Sequence, residues 1–160
     1  MSRFRTISIL TAACASSVAL GGVARADALT TISAPDGGVV EPDGWTADFT
    51  QVHVGPDTGG GRQWLRRDEP DGSASFLDLA ARRCLDLSDP DDGGSQVVIR
   101  ACSPASASQR WIRRGTALVD RDTGECATAI PRLVDGKPDR VLVGAECVAG
   151  DPAQAWALRG

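Results

Sequence analysis

Tyrosine is absent from this chain, histidine occurs once, at His53, and aromatic residues make up 4% of its 160 positions. So few rings leave little material for the flat apolar platforms that sugar C–H faces favour. A Ser-His-Asp hydrolase would have to use His53 as its base, and no G-x-S-x-G occurs. With one histidine and no C-x-x-C, zinc is not expected, and neither metal nor cofactor is assigned. Two acidic stretches (Asp89, Asp91 and Asp92; Asp120, Asp122 and Glu125) lack the spacing of a calcium-binding EF-hand loop and read as turns. Helical periodicity is missing from every window.

One long apolar run does occur, from about Ile7 to Val23. It follows Arg3 and Arg5 and ends in Ala24-Arg25-Ala26. This is the order of a secretory signal peptide, cut after Ala26, and the run is too short and too weakly apolar for a membrane span. The rival reading, a lipoprotein box at Thr11-Ala12-Ala13-Cys14, lacks the leucine such boxes carry at the Thr11 position. The apolar stretch also continues past Cys14. Removing residues 1–26 leaves 134 residues, enough for one domain. Their fourteen basic and twenty-one acidic residues give a net charge of −7, which argues against nucleic acid and anionic membranes as partners. The Ala, Gly, Arg and Asp content points to a GC-rich bacterial source.

What the chain does have is a repeat. Gln109-Arg110-Trp111 lies after Cys102, and Gln154-Ala155-Trp156 lies after Cys147, with the glutamine seven residues past the cysteine in both. A weaker copy is Arg62-Gln63-Trp64. The tryptophans are 47 and then 45 residues apart. Phe76 and Leu118 each precede a cysteine, Cys84 or Cys126, by eight residues. A period near 45 means one supersecondary unit used three times. Four cysteines in an exported chain imply two disulfides, with three possible pairings. The repeat selects Cys84–Cys102 and Cys126–Cys147, each inside its own unit.

Between the tryptophans the chain reads as short strands and turns. Strands are expected at 49–54, from Trp64, at 76–79, 84–87, 97–99, 111–112, 117–120 and 141–143. Residues 27–44 carry turn chemistry at Asp36-Gly37-Gly38 and Pro42-Asp43-Gly44 and few large apolar side chains. They read as an irregular first third of the domain or as an extended arm, with the main domain set at 45–160. Arginine pairs at 66–67, 82–83 and 113–114 read as solvated strand ends. Many short strands punctuated by Gly, Pro and Asp indicate an all-β barrel or sandwich, closed with threefold repetition.

Arg83-Cys84-Leu85-Asp86-Leu87, Gly124-Glu125-Cys126 and the two Q-x-W motifs resemble the ricin B-chain lectin family. The resemblance covers about residues 45–160. It implies a β-trefoil of three repeats, with the disulfides within repeats. It also implies that Trp64, Trp111 and Trp156 fill the core, while Gln109 and Gln154 bind backbone where each repeat closes. A sugar site of this family uses the Asp of C-L-D and an aromatic ring two residues before the second cysteine. A Gln two residues before the ring and an Asn before Q-x-W complete the set.

No repeat holds that set. The second has Asp86, with Arg100 at the ring position, Val98 at the Gln position and Ser108 at the Asn position. The third has Thr128, Ala145, Val143 and Ala153 and is expected to be dead. In the first, counting back from Trp64 places Gln51 at the Gln position, His53 at the ring and Gly61 at the Asn; Asp36 and Asp43 are guesses for the acid. The candidates are therefore Asp86 with Arg100, Gln96 and Ser108, or Gln51 and His53 beside Trp45. Two functions compete for a secreted, non-catalytic chain. One is a lectin binding a glycan through at most one surviving site. The other is an adaptor binding a secreted protein, with the 27–44 segment docking as an added strand.

Overall fold

Most of the described strands are short, with Gly, Pro or Asp turns between them. The computed structural model describes residues 27–44, 46–57, 62–88, 94–134 and 136–160. The expected signal peptide, Trp45 and the Asp89, Asp91 and Asp92 loop lie outside the described residues. Twelve strands hydrogen-bond into one network: β1 (Ala28–Ser33), β2 (Val39–Pro42), β3 (Thr50–Gly55), β4 (Trp64–Asp68), β5 (Ala74–Asp78), β6 (Arg83–Ser88), β7 (Gln96–Arg100), β8 (Trp111–Arg114), β9 (Ala117–Asp120), β10 (Cys126–Val134), β11 (Lys137–Ala145) and β12 (Ala157–Arg159). Two three-residue 3-10 helices, Ala107–Gln109 and Pro152–Gln154, precede β8 and β12. Among the described residues no helix is long and apolar enough to cross a membrane.

Four strands belong to each repeat, and the fold is a β-trefoil. The outer strands of the repeats pair in a ring, β12–β1–β4–β5–β8–β9. The amide of Trp156 closes it by donating to the Thr116 carbonyl at 2.9 Å, beside β9. The inner strands form three hairpins, β2–β3, β6–β7 and β10–β11. These meet around a pseudo-threefold axis in one repeated register: Gln51 opposite Val98, Gln96 opposite Val143, Val141 opposite His53.

The segment 27–44 is no arm. β1 pairs with β12, β4 and β2, and β2 pairs with β3, so the first repeat begins at residue 28. Backbone pairing on both edges holds β1 in place, and Ile32 of β1 with Val39 and Val40 of β2 is buried as the segment's share of the core. Between β1 and β2, Gly37 takes φ 91°, which an L side chain rarely adopts, and its amide donates to the Ala34 carbonyl.

The core holds Trp64, Trp111 and Trp156, all essentially inaccessible, with Phe76, Ile32, Leu85, Ile99 and Leu142. Each indole N–H needs a partner once buried. Trp64 donates to the Val40 carbonyl at 3.0 Å, Trp111 to Leu85 at 3.1 Å and Trp156 to Ala127 at 2.9 Å. These three bonds set the equivalence of the repeats. The disulfides Cys84–Cys102 and Cys126–Cys147 are both present. In the first repeat, buried Val39 takes the place of Cys84 and Cys126, and Asp57 that of Cys102 and Cys147.

Two local expectations change. Phe49, read as the start of a strand, instead has φ 66° and immediately precedes β3. The third hairpin is longer than the Val141-Leu142-Val143 strand suggested: β10 and β11 stay paired for nine residues each, to Val134 opposite Lys137. Pro131 and Pro138 lie within it. Their restricted φ suits an extended strand, and their missing amides weigh against reading one there from sequence.

Candidate functional site

Side chains alternate across each hairpin. In β6 and β7, Leu85, Leu87, Val97 and Ile99 enter the core. Cys84, Asp86, Val98 and Arg100 therefore share the other face, with Asp86 opposite Val98 and Cys84 opposite Arg100. Residues 101–110 fold back over this face. Gln109 fixes them: its Oε1 accepts from the Ser103 amide at 2.8 Å, and its Nε2 donates to the Ala101 carbonyl at 3.0 Å and to Asp86 Oδ2 at 2.9 Å. Ser108 Oγ donates to the same Asp86 oxygen at 3.3 Å. Asp86 Oδ1 is buried without a hydrogen-bond partner, 4.0 Å from Arg100 Nη1.

The third repeat repeats the clamp and drops the acid. Gln154 Oε1 accepts from the Val148 amide, and Nε2 donates to the Glu146 carbonyl and to Thr128 Oγ1. Thr128, Val143 and Ala145 stand where Asp86, Val98 and Arg100 stand.

The first repeat corrects the counting from Trp64. The indole bond to Val40 makes Glu41 the counterpart of Asp86, so neither Asp36 nor Asp43 fills that place. Glu41 pairs with His53, and the register at the axis equates His53 with Val98 and Val143. The ring position is therefore Gly55, the Gln position is His53, and Gln51 matches Gln96. The loop from Gly55 to Trp64 is two residues shorter than its counterparts, which is the size of the slip. A Cβ on Gly55 would overlap Glu41 Oε1, so the protein's own carboxyl occupies this site. Around it, Arg62 Nε lies 3.6 Å from Glu41, while His53 lies 3.6 Å from Glu41 and 3.1 Å from Asp139. Gln51 donates to the Leu142 carbonyl and accepts from Arg132. Trp45, expected beside them, lies outside the described residues.

A model of the ricin-type β-trefoil lectin domain matches residues 29–156. The chain belongs to this family. Solved structures that share its trefoil include the following three. A designed threefold-symmetric protein, ThreeFoil, is 19% identical with a TM-score of 0.67, over 82% of this chain and 98% of that one. The C-terminal domain of an earthworm lectin, a mutant in complex with 6'-sialyllactose, is 16% identical with a TM-score of 0.60, over 82% and 97%. A chain of the Haemophilus ducreyi cytolethal distending toxin is 18% identical with a TM-score of 0.65, over 82% of each. At these identities the likeness is one of fold. No curated protein is similar enough in sequence to match this chain.

Set against the family's site, the second repeat of this ricin-type domain keeps the acid and loses the ring, and a ring reaches it from elsewhere. Phe49 of the first repeat lies under Arg100, with the guanidinium carbon 4.6 Å from the ring centroid. Its amide donates to the Ile99 carbonyl at 2.9 Å, while Asp48 accepts from the Ala101 amide and pairs with Arg83, both at 2.7 Å. Phe49 is 56% exposed, and its left-handed backbone costs about 1–2 kcal/mol for an L residue. The axial register equates it with Gly94, which has φ 75°. Glycine is the unstrained choice at this position, yet the first repeat has an exposed phenyl ring there. Asp86, Ser108 and Arg100 thus converge, and Phe49 joins them. Gln96 does not: it lies four residues along β7 from Arg100, opposite Ser88 and Val143 near the axis. Sequence reasoning missed Phe49 because its contact is made between repeats.

Proposed function

We propose that this protein is a non-catalytic carbohydrate-binding module with one competent site, in the second repeat. The observation that carries this is the exposed Phe49 ring held in a strained backbone beside the exposed Arg100 guanidinium, with Asp86 buried behind it. Rings supply the apolar contact that sugar faces need, and convergent polar groups orient the hydroxyls. The other two repeats lack such a set: Glu41 fills the first, and the third has Thr128, Ala145 and Ala153. The family and the sugar-bound earthworm lectin support the class of ligand. A glycan array with the purified protein and its Phe49→Ala variant tests the reading. Specific binding lost in Phe49→Ala is expected. Absence of binding across a broad array defeats the lectin reading, and binding indifferent to the substitution puts the site elsewhere.

A second reading, that of a protein adaptor, draws on a different feature. The 27–44 segment is tied into the sheet and gives no free strand to dock. The β10–β11 hairpin instead stays paired over nine rows, against five in β6–β7 and four in β2–β3, and exposes Leu133 (68%) on one face and Ile130 on the other. The similarity to a toxin chain also suits this role. Co-purification of a secreted protein that Leu133→Ser abolishes is its expected signature; a monomer isolated alone counts against it.

Export is part of the proposal. The basic start, the apolar run and Ala24-Arg25-Ala26 support cleavage after Ala26, without a lipid on Cys14. Mass spectrometry of the culture supernatant is expected to find Asp27 at the amino terminus.

A further inference from the structure

We infer that the second-repeat site takes an acidic saccharide, with Arg100 pairing the sugar's carboxylate while Phe49 lies against the ring. The inference rests on the carbohydrate reading above and names the class of ligand within it.

Arg100 stands where a neutral-sugar site would carry a stacking ring. An arginine there is permanently charged and strongly prefers a paired or solvated state. Most of the described guanidinium groups have a partner at hydrogen-bonding distance, though Arg62, Arg82, Arg114 and Arg159 do not. Arg66 has Asp68 at 2.6 Å, Arg83 has Asp48 at 2.7 Å, and Arg140 has Asp36 at 2.8 Å. Arg100 has none among the described residues. Its nearest carboxyl oxygen, Asp86 Oδ1, is 4.0 Å away, beyond a hydrogen bond. The Asp86 side chain is 1% exposed and that oxygen is itself unpartnered, whereas the Arg100 side chain is 41% exposed. The guanidinium is therefore positioned and unsatisfied at once. Phe49 underlies it by a cation–π contact and Asp86 lies 4.0 Å from Nη1, leaving the other guanidinium donors unmatched by the described residues.

This arrangement discriminates by charge. A neutral pyranose laid over the site would cover a cation without neutralising it, and that desolvation is unfavourable. A carboxylate matches the planar fork of a guanidinium with two parallel hydrogen bonds. Asp86 stays on the inner side of Arg100, where Gln109 and Ser108 already donate to its Oδ2, so the incoming carboxylate and Asp86 are separated by the guanidinium. The overall charge of −7 after export makes the point sharper: the protein's general field repels acidic glycans, and selectivity has to come from this one local cation.

The test is binding of the full chain to four immobilised probes: sialyllactose, lactose, a glucuronate-terminated disaccharide and a galactose sulfate. Arg100→Gln removes the charge but keeps hydrogen bonding, and Arg100→Lys keeps the charge without the planar fork. The expected result is at least tenfold tighter binding of the two carboxylated probes than of lactose, weakening with salt. Arg100→Gln should abolish that preference and Arg100→Lys should reduce it. Equal binding of lactose and sialyllactose, unchanged in Arg100→Gln, overturns the acidic-ligand inference and leaves the lectin reading standing. Equal or tighter binding of the sulfate overturns the carboxylate assignment. No binding of any probe or of a wider neutral array removes the carbohydrate reading itself. Circular dichroism of both variants separates loss of contact from loss of fold.

Discussion

Arg62 lies 3.6 Å from Glu41 at the place where, one repeat later, Gln109 donates to Asp86 at 2.9 Å. Both partners differ between the repeats: a longer acid meets a longer, cationic partner in place of a neutral amide. The third repeat has a third solution, Gln154 with Thr128 at 3.0 Å. The contact between strand and closing loop is retained while the chemistry at each copy differs.

The Arg62–Glu41 pair should contribute little despite its position. Both side chains are about a quarter exposed, so solvent screens the attraction. A double-mutant cycle with Arg62→Met and Glu41→Gln, read by urea unfolding, is expected to give a coupling of about 0.5–1 kcal/mol. A coupling of several kcal/mol would mean that the pair is effectively buried.

Gln109 and Gln154 make the same backbone bonds, and their removal should not be equal. Gln109→Ala breaks three hydrogen bonds and leaves the buried Asp86 carboxyl with only Ser108 as donor, at 3.3 Å. Thr128 keeps a bond to the Cys126 carbonyl at 2.9 Å when Gln154 is lost. Losses of about 3 kcal/mol for Gln109→Ala and about 2 kcal/mol for Gln154→Ala are expected in chemical unfolding. Equal losses would remove the special cost assigned to Asp86.

The first repeat lacks a disulfide, so the others have a built-in control. Replacing Cys84 and Cys102 by alanine opens a loop with a sequence separation of 18 and should cost about 3 kcal/mol on chain entropy. The variant is expected to fold, since buried Val39 already serves at the equivalent position in the first repeat. Unfolding midpoints of the two forms, measured in urea, check the figure.

The threefold plan was legible because tryptophan, glutamine and cysteine recur at nearly constant spacing. The detail of the first repeat was not, for a physical reason. Its closing loop is two residues short, and strand faces repeat every two residues. Moving the alignment by two keeps the apolar pattern intact, so nothing in the alternation of Gln51, Val52, His53 and Val54 reveals the slip. Only the Trp64 bond to Val40 and the Glu41–His53 register fix it. In hindsight, Val39-Val40-Glu41 echoes Cys84-Leu85-Asp86 with valine in the place of cysteine. β1 was obscured for another reason: its place is secured by backbone pairing to β4 and β12 more than by side chains.

Two acids whose titration is shifted in opposite directions should give the stability curve a recognisable shape. Asp120 caps the turn after β9, accepting from the amides of Asp122 and Thr123, and burial raises its pKa above 3.8 against those hydrogen bonds. The folded state therefore holds the proton more tightly than the unfolded chain. This stability is complete below pH 3.8 and is lost as pH rises through the folded pKa. Asp36, lowered chiefly by the Gly38 amide and then by Arg140, works the other way: its contribution is present above 3.8 and lost as pH falls. Unfolding free energies from pH 3 to 7 are expected to show wild type losing ground to Asp120→Asn as pH rises, and gaining on Asp36→Asn. Parallel curves would contradict both assignments.

Gly55 should be dispensable on one condition. Its backbone is not in the left-handed region, so alanine is sterically open to it; what blocks a Cβ is Glu41 Oε1. That oxygen is the end of a flexible side chain, which can swing away at the expense of its approaches to His53 and Arg62. Gly55→Ala alone should therefore destabilise by about 1 kcal/mol. In a Glu41→Ala background the overlap is gone, and the same substitution should be neutral or stabilising by up to about 1 kcal/mol, through the lower entropy of the unfolded chain. The sign change between backgrounds is the decisive measurement. If Gly55→Ala costs the same in both, Glu41 does not fill the first-repeat site, and that site becomes a second place to look for a ligand.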